Sequence, residues 1–237
     1  TKPIQNIREE LEKIKSLWSN PFIELADDNT FADKKHGKNV ARLFQNNHIK
    51  WFTETDISVA EDDELLGLLR DSGCAQILIG LESPHREGLK GIELKSNWKE
   101  KQVVKYLAAI EKIQSYGLSV NGCFILGLDG QDEGVFEDTL KFVRSSKLSE
   151  VQITLLTPFP GTPLYARLLA EGRIITPGAW EKCTLFDLNF KPQLMTAKVL
   201  EDKFKWLMQE MYSAELVSQR KRYFKGLVRQ KILPKSD

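Results

Sequence analysis

The chain has 237 residues, of which 41% are hydrophobic, enough for one substantial core and fitting one α/β domain with or without an appendage. Lys and Arg number 34 against 33 Asp and Glu, and the resulting net charge of +1 argues against a dedicated nucleic-acid binder. No apolar run approaches the roughly 20 residues that span a bilayer, and the polar opening Thr1-Lys2-Pro3 does not read as a signal peptide. Cys74, Cys123 and Cys183 are widely separated and odd in number, so they do not form a disulfide framework, and a reducing cytoplasm is expected.

Residues 3–18 place Ile4, Ile7, Leu11, Ile14, Leu17 and Trp18 at helical spacing, which predicts an amphipathic helix packing on a sheet. Asn20-Pro21 breaks it. A short strand is expected over 22–26, leading through Asp27-Asp28-Asn29 into a helix that reaches residue 44 or 45. The next strand spans 49–55. Residues 58–63 supply caps and acids for a helix carried by Leu65, Leu66, Leu68 and Leu69 and ended by Gly73. Residues 75–83 form the clearest buried strand. Residues 90–97 read as loop. The spacing of Val103, Val104, Leu107, Ile110 and Ile113 predicts one helix over 99–116.

An apolar run with a glycine on each side of residues 124–126 is the next strand, and a helix is expected over 137–145. The last strand spans 151–157, followed by the rigid turn Pro158-Phe159-Pro160-Gly161-Thr162-Pro163 and a short helix over 164–171. Beyond Arg173 the alternation of strand and helix stops. Residues 176–194 are irregular, with Trp180, Phe186 and Phe190 as packing anchors, and 196–222 is one long or broken helical region. Two units are expected: a core over 1–175 and a mostly helical extension over 176–237.

Five strands with intervening helices predict right-handed βαβ units and a parallel sheet. Alternation groups Glu24, Ala26 and Asp28; then Gln76, Leu78, Gly80 and Glu82; then Asn121, Cys123 and Ile125; then Gln152, Thr154 and Leu156. Parallel strands covered on both sides should be continuous apolar runs, so these polar interruptions have no place in a flat doubly wound sheet. They predict a sheet curved around a polar cavity: an α/β partial (β/α) TIM-like barrel of about five to six parallel strands, with ligands at the carboxyl ends. The bland readings are also open. Asp27-Asp28-Asn29 fits a helix cap and Cys123 a small buried apolar residue. Trp51, Trp98 and Trp180 fit packing positions, Arg220-Lys221-Arg222 a solvated face. His36, His48 and His85 share no ligand spacing.

Four stretches in order carry a resemblance to the radical S-adenosylmethionine (SAM) superfamily, closest to its cobalamin-associated members with a helical C-terminal extension. These are Ala26-Asp27-Asp28-Asn29, DSGCAQILIGLES at 71–83, GCFILGLDGQDE at 122–133 and TPFPGTPLYARLLAEGRI at 157–174. The resemblance implies a SAM site. Asp27 or Asp28 would meet the methionyl ammonium, and Glu82 with Ser83 the ribose hydroxyls. Gly122, Ile125 and Gly127 would support adenine, and backbone near Leu156 and Thr157 its edge. The family also implies a 4Fe–4S cluster held by CxxxCxxC, which this sequence lacks, and the first residues resemble the helix that follows that loop. The expected function is therefore the core of a radical SAM enzyme with an unknown substrate, inactive as the isolated chain. Cobalamin would enter through a further domain. The alternatives are an adenosyl-ligand-binding remnant without redox activity, or a structural module. A first strand lost from the barrel would leave the 22–26 strand with a free edge, to be covered by self-association or by the N-terminal helix.

Overall fold

A computed structural model describes residues 1–93 and 96–232. Its centre is one five-stranded parallel sheet in the order β1-β2-β3-β4-β5, with β1 at Phe22–Glu24, β2 at Lys50–Thr55, β3 at Cys74–Glu82, β4 at Ser119–Leu126 and β5 at Glu150–Leu155. Spatial order follows sequence order, so each connection returns the chain to the adjacent strand and all five end on one rim. The principal helices are α1 (Ile4–Leu17), α2 (Lys34–Asn46), α3 (Asp63–Asp71), α4 (Tyr106–Ser115), α5 (Val135–Ser146), α6 (Pro163–Ala170), α7 (Ala197–Met211) and α8 (Ala214–Ile232).

Burial alternates along the strands. Ile77, Ile79, Leu81, Val120, Phe124, Leu126 and Ile153 are inaccessible and pack beneath the helices. Leu78, Gly80, Glu82, Cys123, Ile125 and Gln152 between them are half-buried and line a cavity on the other face. That cavity reaches from Asp28, just beyond β1, to Thr154 on β5. Strands lie about 4.8 Å apart, so side chains from a flat sheet of this width would not converge on one space; the sheet curves into a half-barrel.

Local chemistry fixes the helix starts. Asp33 Oδ1 accepts from His36 N at 3.0 Å to cap α2, Asp62 Oδ1 from Leu65 N at 2.9 Å to cap α3, and Thr162 Oγ1 from Tyr165 N at 3.2 Å to cap α6. The cap of α2 is thus Asp33, and the Asp27-Asp28-Asn29 turn is left for other work.

Several sequence-based expectations need correction. The helix expected over 99–116 is three pieces, Trp98–Gln102, a 3-10 turn at Val103–Lys105, and α4. The tighter turn shifts the helical phase. Val104 and Leu107 therefore face solvent at 70% and 47% exposure, while Tyr106 turns inward and donates to Leu81 O at 3.0 Å. Residues 90–93 and 96–97 form no helix, and Leu94 and Lys95 of that predicted loop lie outside the described residues. In α1 only Leu11 is buried; Ile14, Leu17 and Trp18 are exposed. Among the described residues β1 pairs only with β2, and α1 stands beside it across a groove of about 380 Å³ lined by Leu11, Ile14, Ile23 and Leu25. Trp180 and Phe186, expected as anchors, are half-exposed, whereas Phe190 is fully buried. Arg220 is buried and not part of a solvated face.

Gly127 ends β4 at φ 91°, and a Cβ there would lie 2.8 Å from Phe190 Cζ and 2.9 Å from Leu200 Cδ2. The C-terminal segment is therefore seated directly on this turn. Gly127→Ala is expected to destabilise the chain by about 1–3 kcal/mol, through left-handed strain plus overpacking. Gly161→Ala, at φ 76° but facing open space, is expected to cost less. Urea midpoints of the two variants check this.

Candidate functional site

Every strand delivers its last residues to the same rim. β1 ends in a turn whose side chains diverge: Asp27 faces the groove beside α1, and Asp28 faces the central cavity. Asn29 fixes this turn. Its Nδ2 donates to Asp56 Oδ2 at 2.8 Å, and its Oδ1 accepts from Thr55 Oγ1 at 2.9 Å. β2 contributes Glu54, Thr55 and Asp56 to the cavity wall. Burial raises the Glu54 carboxyl above the usual carboxylate range, and the nearby Asp28 and Glu24 raise it further.

β3 ends in Glu82, a non-glycine residue at φ 62°, where the β3–β4 register also slips. That backbone folds the Glu82 side chain back over Gly80. A Cβ at Gly80 would lie 2.5 Å from Glu82 Oε1, so the glycine leaves the space this carboxylate occupies. Lys99 closes the arrangement: Nζ donates to Glu82 Oε1 and, at 3.3 Å, to Gly80 O. Ser83, next in sequence, turns the other way; it is fully buried and its Oγ accepts from His85 N at 3.1 Å.

β4 places Cys123 and Ile125 in the cavity. The Cys123 thiol is pushed up to about 12, by burial first and then by Glu82 and Glu54, so it is protonated at neutral pH. Asn121, one alternation below, has a buried Oδ1 with no partner. Gly122 lies on the opposite face, where a Cβ would meet Leu148 Cδ1 at 2.7 Å and Leu81 Cδ1 at 3.0 Å. The turn after β4 is pinned by Gln131. Its Oε1 accepts from Gly127 N at 2.9 Å and Leu128 N at 3.1 Å, and its Nε2 donates to Ile125 O at 3.1 Å.

Two connected spaces result. The first, about 340 Å³, is polar and holds Asp28, Glu54, Asp56, Glu82 and Lys99; the irregular C-terminal segment adds Leu185 as a wall. The second, about 520 Å³, shares Glu82, Lys99 and Ile125 with it and is floored by Leu128, Leu156 and Leu164. Its rim carries Asp129, whose oxygens accept from Arg167 Nη1 at 2.6 Å and Arg173 Nη2 at 2.7 Å. Burial alone would raise this carboxyl, but the two guanidiniums outweigh it and hold it low. Thr157 is buried with its Oγ1 on Leu155 O at 3.1 Å, beside the exposed flank of Leu156.

Of the residues expected at the site, Asp28, Glu82, Ile125 and Leu156 meet around these spaces. Asp27, Ser83 and Gly122 point elsewhere, and Gly127 is covered by Phe190 and Leu200. Sequence reasoning missed Glu54, Asp56 and Lys99. The signal that could have marked Glu54 is its place near the carboxyl end of β2, two residues from Phe52 on the same half-buried face. Lys99, 17 positions from its partner Glu82, carries no local signal.

This is a parallel half-barrel with an acid-lined cavity at the carboxyl ends of its strands, the end at which parallel barrels generally carry their ligand sites. The family model described as the radical SAM superfamily matches residues 1–143, and the chain belongs to that superfamily. A model described as a domain of unknown function, DUF4070, matches residues 162–235. Among curated proteins the chain is 25% identical over 194 residues to the bacteriochlorophyllide d C-12(1)-methyltransferase of Chlorobaculum tepidum, covering 82% of this chain and 41% of that protein. It is 33% identical over 122 residues to the hopanoid C-2 methylase of Rhodopseudomonas palustris, covering 52% of this chain and 22% of the relative. The chain thus spans less than half the length of these relatives. Among solved structures it resembles the radical S-adenosylmethionine methyltransferase TsrM of Kitasatospora setae, solved with cobalamin and a 4Fe–4S cluster bound. The TM-score is 0.61 at 15% identity, over 91% of this chain and 39% of that one, a likeness of fold alone.

The superfamily implies SAM and a 4Fe–4S cluster, and the donor set tests both. SAM carries an ammonium, a sulfonium, a carboxylate, two ribose hydroxyls and an adenine. A space with Asp28, Glu54, Asp56 and Glu82 set against Lys99, opening onto an aliphatic floor, fits that charge pattern. The cysteines present do not fit a cluster. Burial pushes the Cys74 thiol up to about 12, and among the described residues no three His, Cys, Asp or Glu side chains gather as ligands. No helix of the described residues is long and apolar enough to cross a membrane.

A carboxyl whose folded pKa is raised contributes stability below its unfolded pKa and loses it as pH rises through the folded value. Glu54→Gln is therefore expected to melt higher than the wild type at neutral pH, with the difference closing below about pH 4. Thermal melts across this range check it.

Proposed function

We propose that this chain is the SAM-binding core of a radical SAM methyltransferase. The observation that carries the reading is the convergence of Asp28, Glu54, Glu82 and Lys99 on one cavity at the strand ends, continuous with the aliphatic space at Ile125 and Leu156. In this reading the acids at the β1 and β2 ends hold the ammonium and stand close to the sulfonium charge. Lys99 takes the carboxylate, and the Glu82 oxygen it releases accepts from the ribose hydroxyls. Ile125 and Leu156 pack on the adenine face, and Gln131 keeps the turn beneath them in place.

When bound, SAM supplies a methyl group or, on one-electron reduction, a 5′-deoxyadenosyl radical. The side chains described here offer no cluster ligands, so the reductive step is not assigned to them. Methyl transfer is supported by the names of the relatives, and cobalamin by the ligand of TsrM; no residue of this chain is assigned to the corrin. Residues 176–232 contribute Leu185 to the cavity wall, which supports a part for this extension in selecting the substrate.

Calorimetry with SAM on this chain tests the binding step. Lys99→Met and Glu82→Gln are each expected to weaken binding about tenfold, the loss of one charge-assisted hydrogen bond, with circular dichroism as the check that each variant is folded. Absence of saturable heat from the wild type at millimolar SAM would remove the proposal. For the chemistry, the protein expressed from its whole coding sequence and purified without oxygen is expected to contain iron, sulfide and a corrinoid absorption spectrum. It should also pass a deuterated methyl group from SAM to product.

A further inference from the structure

A second polar space lies far from the strand ends, between the C-terminal end of α5 and the inner face of α8. It measures about 200 Å³, and its polar lining is Arg144, Lys147, Gln219, Arg220 and Tyr223. No carboxylate is among its lining residues. Arg220 is the unusual member. It follows Leu216 by one helical turn on the buried face of α8 and is only 4% exposed. Its Nη1 donates to Met211 O at 2.9 Å, at the C-terminal end of α7. Its Nε is buried with no hydrogen-bond partner, and among the described residues the guanidinium makes no ion pair within 4 Å. Burial lowers its pKa, and Glu150 and Tyr212 offset this only partly.

A buried charge is costly, and the chain's own Glu150 and Tyr212 compensate it only in part. One donor group of this side chain satisfies the free carbonyl of α7, a task that a neutral amide would perform as well. The remaining donors of the guanidinium fork match the planar edge of an oxyanion. Around it stand two further cations. Lys147, at φ 53°, holds Nζ 4.7 Å from the Tyr223 ring centroid, and Arg144 is only loosely engaged by Glu210 at 3.4 Å. The space is several times the roughly 30 Å³ share of one water, enough for a tetrahedral anion with its remaining hydration.

We propose that this pocket binds an oxyanion of the phosphate class, either free or as the terminal group of a larger ligand. The oxyanion is bonded by Arg220 and flanked by Lys147 and Arg144. This site is independent of SAM binding and shares no residue with it.

Isothermal titration of the full chain at constant ionic strength, with inorganic phosphate and with glycerol 3-phosphate, tests the assignment. Saturable binding of both supports a terminal phosphate group; binding of inorganic phosphate alone supports the free ion. The double variant R144M/K147M, both residues being exposed, is expected to keep its fold and to bind about tenfold more weakly or worse. Arg220→Met is expected to abolish binding, with circular dichroism as the check on folding. No saturable heat from either phosphate, or an unchanged affinity in the double variant, would overturn the proposal.

Discussion

Five strands pair in the order in which they are made, all in one direction, and this is the constraint on which the rest depends. Consecutive parallel pairing sends each helix to the outer face and each post-strand turn to one rim. Curvature then brings those turns within reach of one small molecule. The polar side chains of the inner face are tolerable only because they surround a solvent-filled space and not a packed core. Glu54 shows the tension most directly: burial and two neighbouring acids oppose its ionisation, yet the strand places it there.

Glu82 has a similar character. Its left-handed backbone costs of order 1–3 kcal/mol for a non-glycine residue, and such strain persists only where the surroundings over-determine it. Here the surroundings are a glycine without a side chain, a slipped register and a lysine delivered by a broken helix. The break at Val103–Lys105 matters in that light. It separates Trp98–Gln102, which carries Lys99 to the cavity, from α4, which buries Ile110 and Ile113.

Much of this architecture is legible in the residues. The five apolar runs of the sequence fall within a few positions of the observed strands, because glycines, prolines and charged turns punctuate them sharply. Alternation grouped Leu78, Gly80 and Glu82 with Cys123 and Ile125 on the cavity face, as found. The same alternation assigns Gly122 to the helical face, against the adenine role that motif resemblance gives it. Where the two disagreed, periodicity agreed with the observed packing. Features that depend on long-range approach were not legible. Lys99 meets Glu82 only through tertiary folding, and the phase of the 99–116 region is lost at a 3-10 turn that no propensity marks. Arg220 sits in a basic run whose ordinary meaning is solvent. Only its helical spacing from Leu216 distinguishes it from Lys221 and Arg222.

The backbone N–H of Leu155 donates to Leu185 O at 2.7 Å, so the irregular segment after α6 takes a hydrogen-bonding position on the free margin of the last strand. A loop holds that position, and the loop has no repeating geometry to respect. Insertions, deletions and exchanges of side chain at this place would leave the pairing of the five strands intact. The half-barrel therefore has one wall whose form is fixed by strand pairing and one wall built of irregular chain, free of that constraint.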